Sequence, residues 1–239
     1  MEPWATAAVE LTEIARLPCA DMPYTPFMPS FDQLPAALPI FPLTGAVVMP
    51  GVGLPLNIFE PRYLNMVADA MNGHHMFGMM QPDPSKSERP EVVFQTGCAG
   101  RITSYHETED GRMELILTGV CRFRVSEELE GTRGYRVVVP DWKPFRIDYE
   151  ARKGTAINNQ DRLLYLLRHY FLSRELETDW QNITAIPCNQ LVNSLTTALP
   201  LSNMEKQAML EAVSPQDRVD TLITALETQM HEAQGHSRH

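Results

Sequence analysis

Lysine is scarce in this chain. Only Lys86, Lys143, Lys153 and Lys206 occur in 239 residues, and none follows a glycine. A phosphate-binding P-loop needs Gly-Lys-Ser/Thr, because backbone amides cradle the phosphates while the lysine neutralises them. That motif is excluded. Cysteine is sparse too. Cys19, Cys98, Cys121 and Cys188 lie far apart with no C-x-x-C pair, which argues against a structural zinc site and a disulfide framework. Free thiols in a reducing cytoplasm are expected. Basic charge is in deficit: 20 Lys and Arg stand against 30 Asp and Glu, a net charge of −10. That weighs against nucleic acid and other polyanions, and leaves protein or peptide partners open. No apolar run approaches the ~18–20 residues of a membrane helix. The opening Met1-Glu2-Pro3-Trp4 has no positive segment leading into an apolar one, so neither a signal peptide nor a membrane partner is expected.

Other motifs fail at particular positions. Gly51-Val52-Gly53-Leu54-Pro55-Leu56 begins like a dinucleotide fingerprint, but Leu56 stands at the third glycine and Pro55 would spoil the helix that should follow. A turn between strands is the better reading. The zinc-hydrolase pattern H-E-x-x-H starts at His106-Glu107 and His231-Glu232, and Asp110 and Gly235 occupy its last position. No G-x-S-x-G nucleophile elbow occurs. Cys98, among small residues, reads as a buried small hydrophobe rather than a reactive thiol. No catalytic residue, cofactor or metal is assigned. Residues 101–146 hold eight basic and eight acidic side chains, the pattern of a mixed-charge, solvated sheet face.

The chain is punctuated instead by 19 prolines and 13 glycines. Residues 1–36 read as an arm: Trp4, Ala7, Ala8, Leu11 and Ile14 at roughly helical spacing, then Pro18, Pro23, Pro26, Pro29 and Pro35. That proline density favours extended chain. From Leu38 to Pro140 the pattern is mostly β. Strands are expected over Pro39–Leu43, Ala46–Met49, Leu54–Ile58, Met76–Met80, Cys98–His106, Met113–Gly119 and Tyr135–Val139, with Asp110-Gly111 as a hairpin turn. Cys121, Phe123 and Val125 alternate with Arg122 and Arg124, which predicts a buried face and a wet one. One helix interrupts, from Pro61 to Asn72, with Gly73 past its end. Many short strands with turn signals suggest a small barrel or sandwich. After Pro144 the period becomes helical. Leu163, Leu166, Leu167, Tyr170 and Phe171 mark one helix and Pro187 opens a second. Ser202-x-x-Glu205 caps a third and Ser214-Pro215 a fourth, which together make a helical bundle with a polar tail from Glu232.

One ordered set of segments carries a resemblance. Leu38-Pro39-Ile40-Phe41-Pro42-Leu43, Val47-Val48-Met49-Pro50-Gly51 and Leu54-Pro55-Leu56-Asn57-Ile58-Phe59-Glu60-Pro61-Arg62-Tyr63 come first. Gly97-Cys98-Ala99-Gly100-Arg101-Ile102, Thr118-Gly119-Val120-Cys121-Arg122-Phe123 and Met204-Glu205-Lys206-Gln207 follow in order. Over about residues 37 to 230 the chain resembles the N-terminal substrate-binding domain of Lon protease, most closely the stand-alone bacterial proteins made of that domain. The resemblance implies an α+β fold: a PUA-like β pseudo-barrel with one inserted helix, then a C-terminal α-helical bundle. The expected organisation is an arm over 1–36, a barrel over 37–147 and a bundle over 148–239.

The expected function is a non-catalytic module that binds unfolded or signal-bearing protein segments, in a groove that the proline-rich arm could cover. The alternatives are an RNA-binding PUA-like protein, on fold analogy alone, and a hydrolase with an unrecognised site. Within the most distinctive segment, Asn57, Glu60 and Arg62 are the candidate binding residues. Glu60 precedes a helix N-terminus, where the dipole favours its carboxylate. A structural Glu60–Arg62 pair is the expected arrangement, with Phe41, Ile58 and Phe59 filling the barrel. Loss of either charge should cost ~1–3 kcal/mol if the partner left behind is substantially buried. With no phosphate cradle and no Ser-Lys dyad recognisable, the purified protein is expected neither to hydrolyse ATP nor to cleave casein. Activity that follows the protein through two purification steps and disappears on a point mutation would overturn that expectation.

Overall fold

Alternating apolar residues and well-placed prolines build the sheet. The structure is a computed structural model and describes residues 28–86, 92–131, 133–150, 157–174 and 178–236. Six strands form one sheet: β1 (Leu38–Pro42), β2 (Gly53–Ile58), β3 (Met76–Met80), β4 (Thr96–Glu107), β5 (Met113–Leu129) and β6 (Arg136–Asp141). Their order is β2-β5-β4-β3-β1-β6, and β5 also pairs with β6, so the pairing returns on itself and leaves β2 outside the ring. All pairs are antiparallel except β1 with β3. Pro39 and Pro42 lie on β1, which is interior rather than the edge strand that its prolines suggest. Its two pairings are staggered: Leu38–Ile40 meets β6, and Ile40–Pro42 meets β3. Each proline therefore faces a ladder on one side only, which suits a residue without an N–H.

The strand expected over Ala46–Met49 is instead irregular chain with Val47, Val48 and Met49 buried. It touches β5 at one point, where Gly51 donates to the Gly119 carbonyl and Gly119 donates to that of Val52, both at 2.9 Å. A Cβ on Gly119 would lie 2.1 Å from the Met49 carbonyl oxygen. This crossing needs glycine. Helix α1 (Pro61–Met71) starts at proline as expected and buries Tyr63, Met66, Val67 and Ala70.

Arg122 corrects the expected wet face. It is 0% exposed. The middle of β5 is buried from Leu117 to Phe123, so alternation no longer separates core from solvent. The charge is met by Asp148, on the short helix α2 (Ile147–Glu150). The Arg122 Nη2 lies 2.7 Å from Oδ1 and its Nε 3.0 Å from Oδ2. The Arg122 backbone N–H also donates to Oδ2 at 3.0 Å. The Phe145 ring lies 4.5 Å from the guanidinium carbon.

The described residues divide into two compact units, 28–150 and 157–236. In the second, five helices share one core: α3 (Gln160–Ser173), α4 (Trp180–Ala185), α5 (Cys188–Ala198), α6 (Asn203–Glu211) and α7 (Pro215–His236). The Ser202 capping box is formed, with Ser202 N–H donating to Glu205 at 2.7 Å and Glu205 N–H to the Ser202 hydroxyl at 3.2 Å. Helix α4 is an addition to the four expected. Its six residues are too few to show a period, and its cap, Asp179, accepts from Gln181 N–H at 3.0 Å. Residues 1–27 of the expected arm lie outside the described residues. Residues 28–36 lie against the sheet unit, where Met28, Phe31 and Leu34 pack on its core.

Asp148→Ala leaves a guanidinium buried without its counter-charge, so urea denaturation should show a loss of about 3–5 kcal/mol. Replacing both partners with apolar residues, Arg122→Met with Asp148→Leu, should restore most of it. A loss below 1 kcal/mol in the single variant would show that solvent reaches Arg122.

Candidate functional site

The segment running from β2 into α1 carries the candidate residues. Along β2, Leu54, Leu56 and Ile58 are buried while Gly53, Pro55 and Asn57 face outward. The register sets Pro55 opposite Ile116 and Asn57 opposite Glu114 on β5. On β4, His106 and Ser104 continue the same two rows. Asn57, Glu114 and His106 thus lie side by side across three strands, all exposed. Ile116 is 41% exposed on this face. It lies over Gly53, where a Cβ would come within 3.2 Å of its Cγ2. Phe59 directly follows β2 and is 63% exposed. It does not fill the barrel, because it follows the inward Ile58 and so continues the outward row of Gly53, Pro55 and Asn57 as the chain enters α1.

Glu60 is the N-cap residue of α1 but accepts no capping bond on its side chain. Its Oε2 accepts from Arg62 Nε at 3.0 Å. The two side chains are 44% and 51% exposed, respectively. The Arg62 guanidinium also lies over the Tyr63 ring at 4.5 Å. Burial pushes the Tyr63 hydroxyl above its ordinary pKa, against the opposing pull of Arg62. Glu60 and Arg62 are therefore brought together, while Asn57 belongs to the neighbouring strand row. At the other end of α1, Asp69 accepts from the Tyr135 hydroxyl at 2.7 Å and from Arg133, whose second amino group reaches Asn65 at 3.2 Å. This fastens the β5–β6 loop to α1. Burial, then the Asp69 carboxylate, push the Tyr135 hydroxyl up to about 12.

Cys98 is fully buried, as expected of a small hydrophobe. Burial pushes the Cys188 thiol up to about 11, away from the thiolate. Among the described residues, no group of three or more His, Cys, Asp or Glu side chains is placed to hold a metal ion, and no helix is long and apolar enough to cross a membrane. What the surface offers is apolar contact from Phe59, Pro55 and Ile116 beside charges of both signs. Phe59 and Ile116 are not among the candidate residues that the sequence singles out, although alternation along β5 sets Ile116 on the wet face with Glu114. The available signal is an apolar residue in a register reserved for polar ones.

Comparison with known proteins places this geometry. A family described as the ATP-dependent protease La (LON) substrate-binding domain matches residues 37–228. The Lon protease of Dictyoglomus thermophilum is 26% identical over 192 residues, covering 79% of this chain and 24% of that protein. The Lon protease of Parabacteroides distasonis is 30% identical over 129 residues, covering 52% of this chain and 16% of that protein. The chain thus spans about a quarter or less of the curated relatives it matches. The crystal structure of a Lon N-terminal domain protein from Xanthomonas campestris matches with a TM-score of 0.59 at 25% identity, covering 79% of this chain and 97% of that one. The N-terminal domain of a Mycobacterium avium complex Lon protease matches with a TM-score of 0.60 at 16% identity, covering 80% and 98%; that likeness shows the fold alone.

The exposure of the Glu60–Arg62 pair removes the condition for a large stability loss. Exposed ion pairs contribute ~0–1 kcal/mol. Glu60→Ala and Arg62→Ala should each destabilise by less than about 1 kcal/mol in thermal melts. A loss above 2 kcal/mol would mean that the pair is shielded from water.

Proposed function

The chain belongs to the LON substrate-binding domain family, and from that premise we propose that it is a non-catalytic module that captures unfolded or signal-bearing protein segments on the outer face of β2 and β5. Its binding residues in this reading are Asn57, Phe59, Glu60, Arg62 and Ile116. The carrying observation is the exposure of Ile116 on the outer face of β5, opposite Pro55, and of Phe59 beyond the end of β2, where the exposed Glu60–Arg62 pair follows it. An aromatic and a branched aliphatic side chain held on a sheet face offer a client the contact it would otherwise bury in its own core. The charges alongside suit the mixed polar flanks of such segments. In this proposal the β unit is a PUA-like pseudo-barrel, supported by the β5–β6 pairing that closes the ring, and the helical unit is a bundle. The chain acts in the cytoplasm and contributes neither ATPase nor peptidase.

The test uses reduced, carboxymethylated casein as an unfolded probe. Labelled probe should bind the full chain, and Phe59→Ala with Ile116→Ser should weaken binding at least tenfold, the scale of a central anchor. The melting temperature should fall by no more than a few degrees, since Phe59 is 63% and Ile116 41% exposed. Undiminished binding by the double variant would exclude this face.

A further inference from the structure

The described part of the proline-rich segment is held in a way that shows what else its seat can take. Tyr149 donates its hydroxyl proton to the Pro29 carbonyl at 3.1 Å. Trp142 donates its indole N–H to the Pro35 carbonyl at 3.1 Å. Between these points the Phe31 ring meets the Tyr149 ring edge-on at 5.5 Å, and the Arg146 guanidinium lies 4.8 Å from the Phe31 ring centre. Trp142 is itself anchored on the core, 5.6 Å from the Phe123 ring. The polar side chains of the strap do not use this seat: Gln33 turns back to accept from Ser30 N–H at 3.0 Å, and Asp32 is exposed.

The seat therefore reads two main-chain carbonyls and one aromatic ring. Carbonyls belong to every peptide. Here the two carbonyls flank a 3-10 turn over Phe31–Gln33, in which the Gln33 N–H donates to the Ser30 carbonyl at 2.9 Å, and aromatic side chains that donate to carbonyls of proline-bearing segments are a recurrent means of binding them. Phe31 is only partly buried in its place, so its ring is the part of the strap most open to replacement.

We infer that Trp142, Arg146 and Tyr149 form a second peptide-docking site, occupied in cis by residues 29–35 and opened when a client segment bearing an aromatic residue on a tight turn between prolines displaces the strap. This rests on the proposed client-binding function and gives it a chemical class of client. Self-occupancy also makes the site a filter. If the strap leaves the seat in 1–10% of molecules, apparent affinity for a competing segment falls ~10- to 100-fold, so only segments of matching chemistry or high local concentration enter.

The probe is a labelled peptide with the sequence of residues 28–35, Met-Pro-Ser-Phe-Asp-Gln-Leu-Pro, added to the full chain. Phe31→Ala in the protein loosens the strap and should tighten peptide binding at least tenfold over the unaltered chain. Trp142→Phe on that background removes a carbonyl donor and should reverse the gain. A peptide with alanine in place of its phenylalanine should not compete. Phe31→Leu keeps apolar packing and repeats the test should Phe31→Ala melt early. Equal binding by the unaltered chain and a folded Phe31 variant overturns the inference, as does failure of the folded variant to bind. Casein separates the two proposals. If its binding depends on Phe59 and Ile116 but the peptide result is negative, the second site fails alone. If the peptide binds as expected but casein does not bind any variant, the function reading fails.

Discussion

Arg122 places a full positive charge in the middle of the longest strand, where the core closes over it, and the ion pair with Asp148 makes that position tenable. The same carboxylate also accepts the Arg122 backbone N–H, so one side chain answers both a charge and a main-chain donor. A buried pair of this kind is weak grounds for added stability, because matched apolar residues often do as well. Its consequence here is geometric. Satisfying the guanidinium requires Asp148, which fixes α2 against β5 and brings Phe145 under the guanidinium. Arg146 and Tyr149 flank Asp148 in sequence and hold the strap. The proposed second site is thus positioned by a charge that it does not itself use.

The closing of the sheet supplies the other constraint. With β5 and β6 paired, β2 lies outside the ring, at the end of the strand order. Open edges invite pairing with other chains. In β2 the bonded positions alternate: Val52 accepts from Gly119, so Leu54, Leu56 and Ile58 continue the ladder to β5 while Gly53, Pro55 and Asn57 direct their main chain to the open side. Pro55 stands in the middle of that outward set and has no N–H to offer. Strand addition meets a gap there. In the proposed function, recognition at β2 accordingly falls to side chains on the outer face, among them Phe59 and Ile116, rather than to the edge itself.

Much of this was legible in the residues where a local rule decides. Helix α1 followed from Pro61 and its apolar face, and α6 from Ser202 and Glu205, because caps and periods act within a few residues. The resemblance covered the family, which the match over 37–228 bears out. What escaped depends on neighbours distant in sequence. Arg122 reads as a wet residue until α2, 26 residues on, supplies its partner. The chain from Ala46 to Met49 reads as a strand, yet it is buried by crossing Gly119 without a ladder partner alongside. Phe59 reads as core because it is aromatic, although it follows the inward Ile58 and alternation sets it on the outer face. Glu60 and Arg62 were rightly expected to pair, but their exposure was set by how α1 lies on the sheet.

The surfaces share a feature that bears on what kind of binder this is. Neither supplies an aligned row of main-chain donors, and neither encloses a ligand. In the two proposals, Phe59 and Ile116 offer apolar contact that many sequences can use, while the strap seat asks for one aromatic ring and two carbonyls on either side of a turn. A module that must accept many clients gains from weak, tolerant contacts, whereas discrimination requires something that opposes the wrong ones. The strap meets that second need, because a competing segment must outdo a ligand already tethered beside the seat at high effective concentration. Under the two proposals, tolerance on one face and self-competition on the other would let the module bind broadly without binding everything.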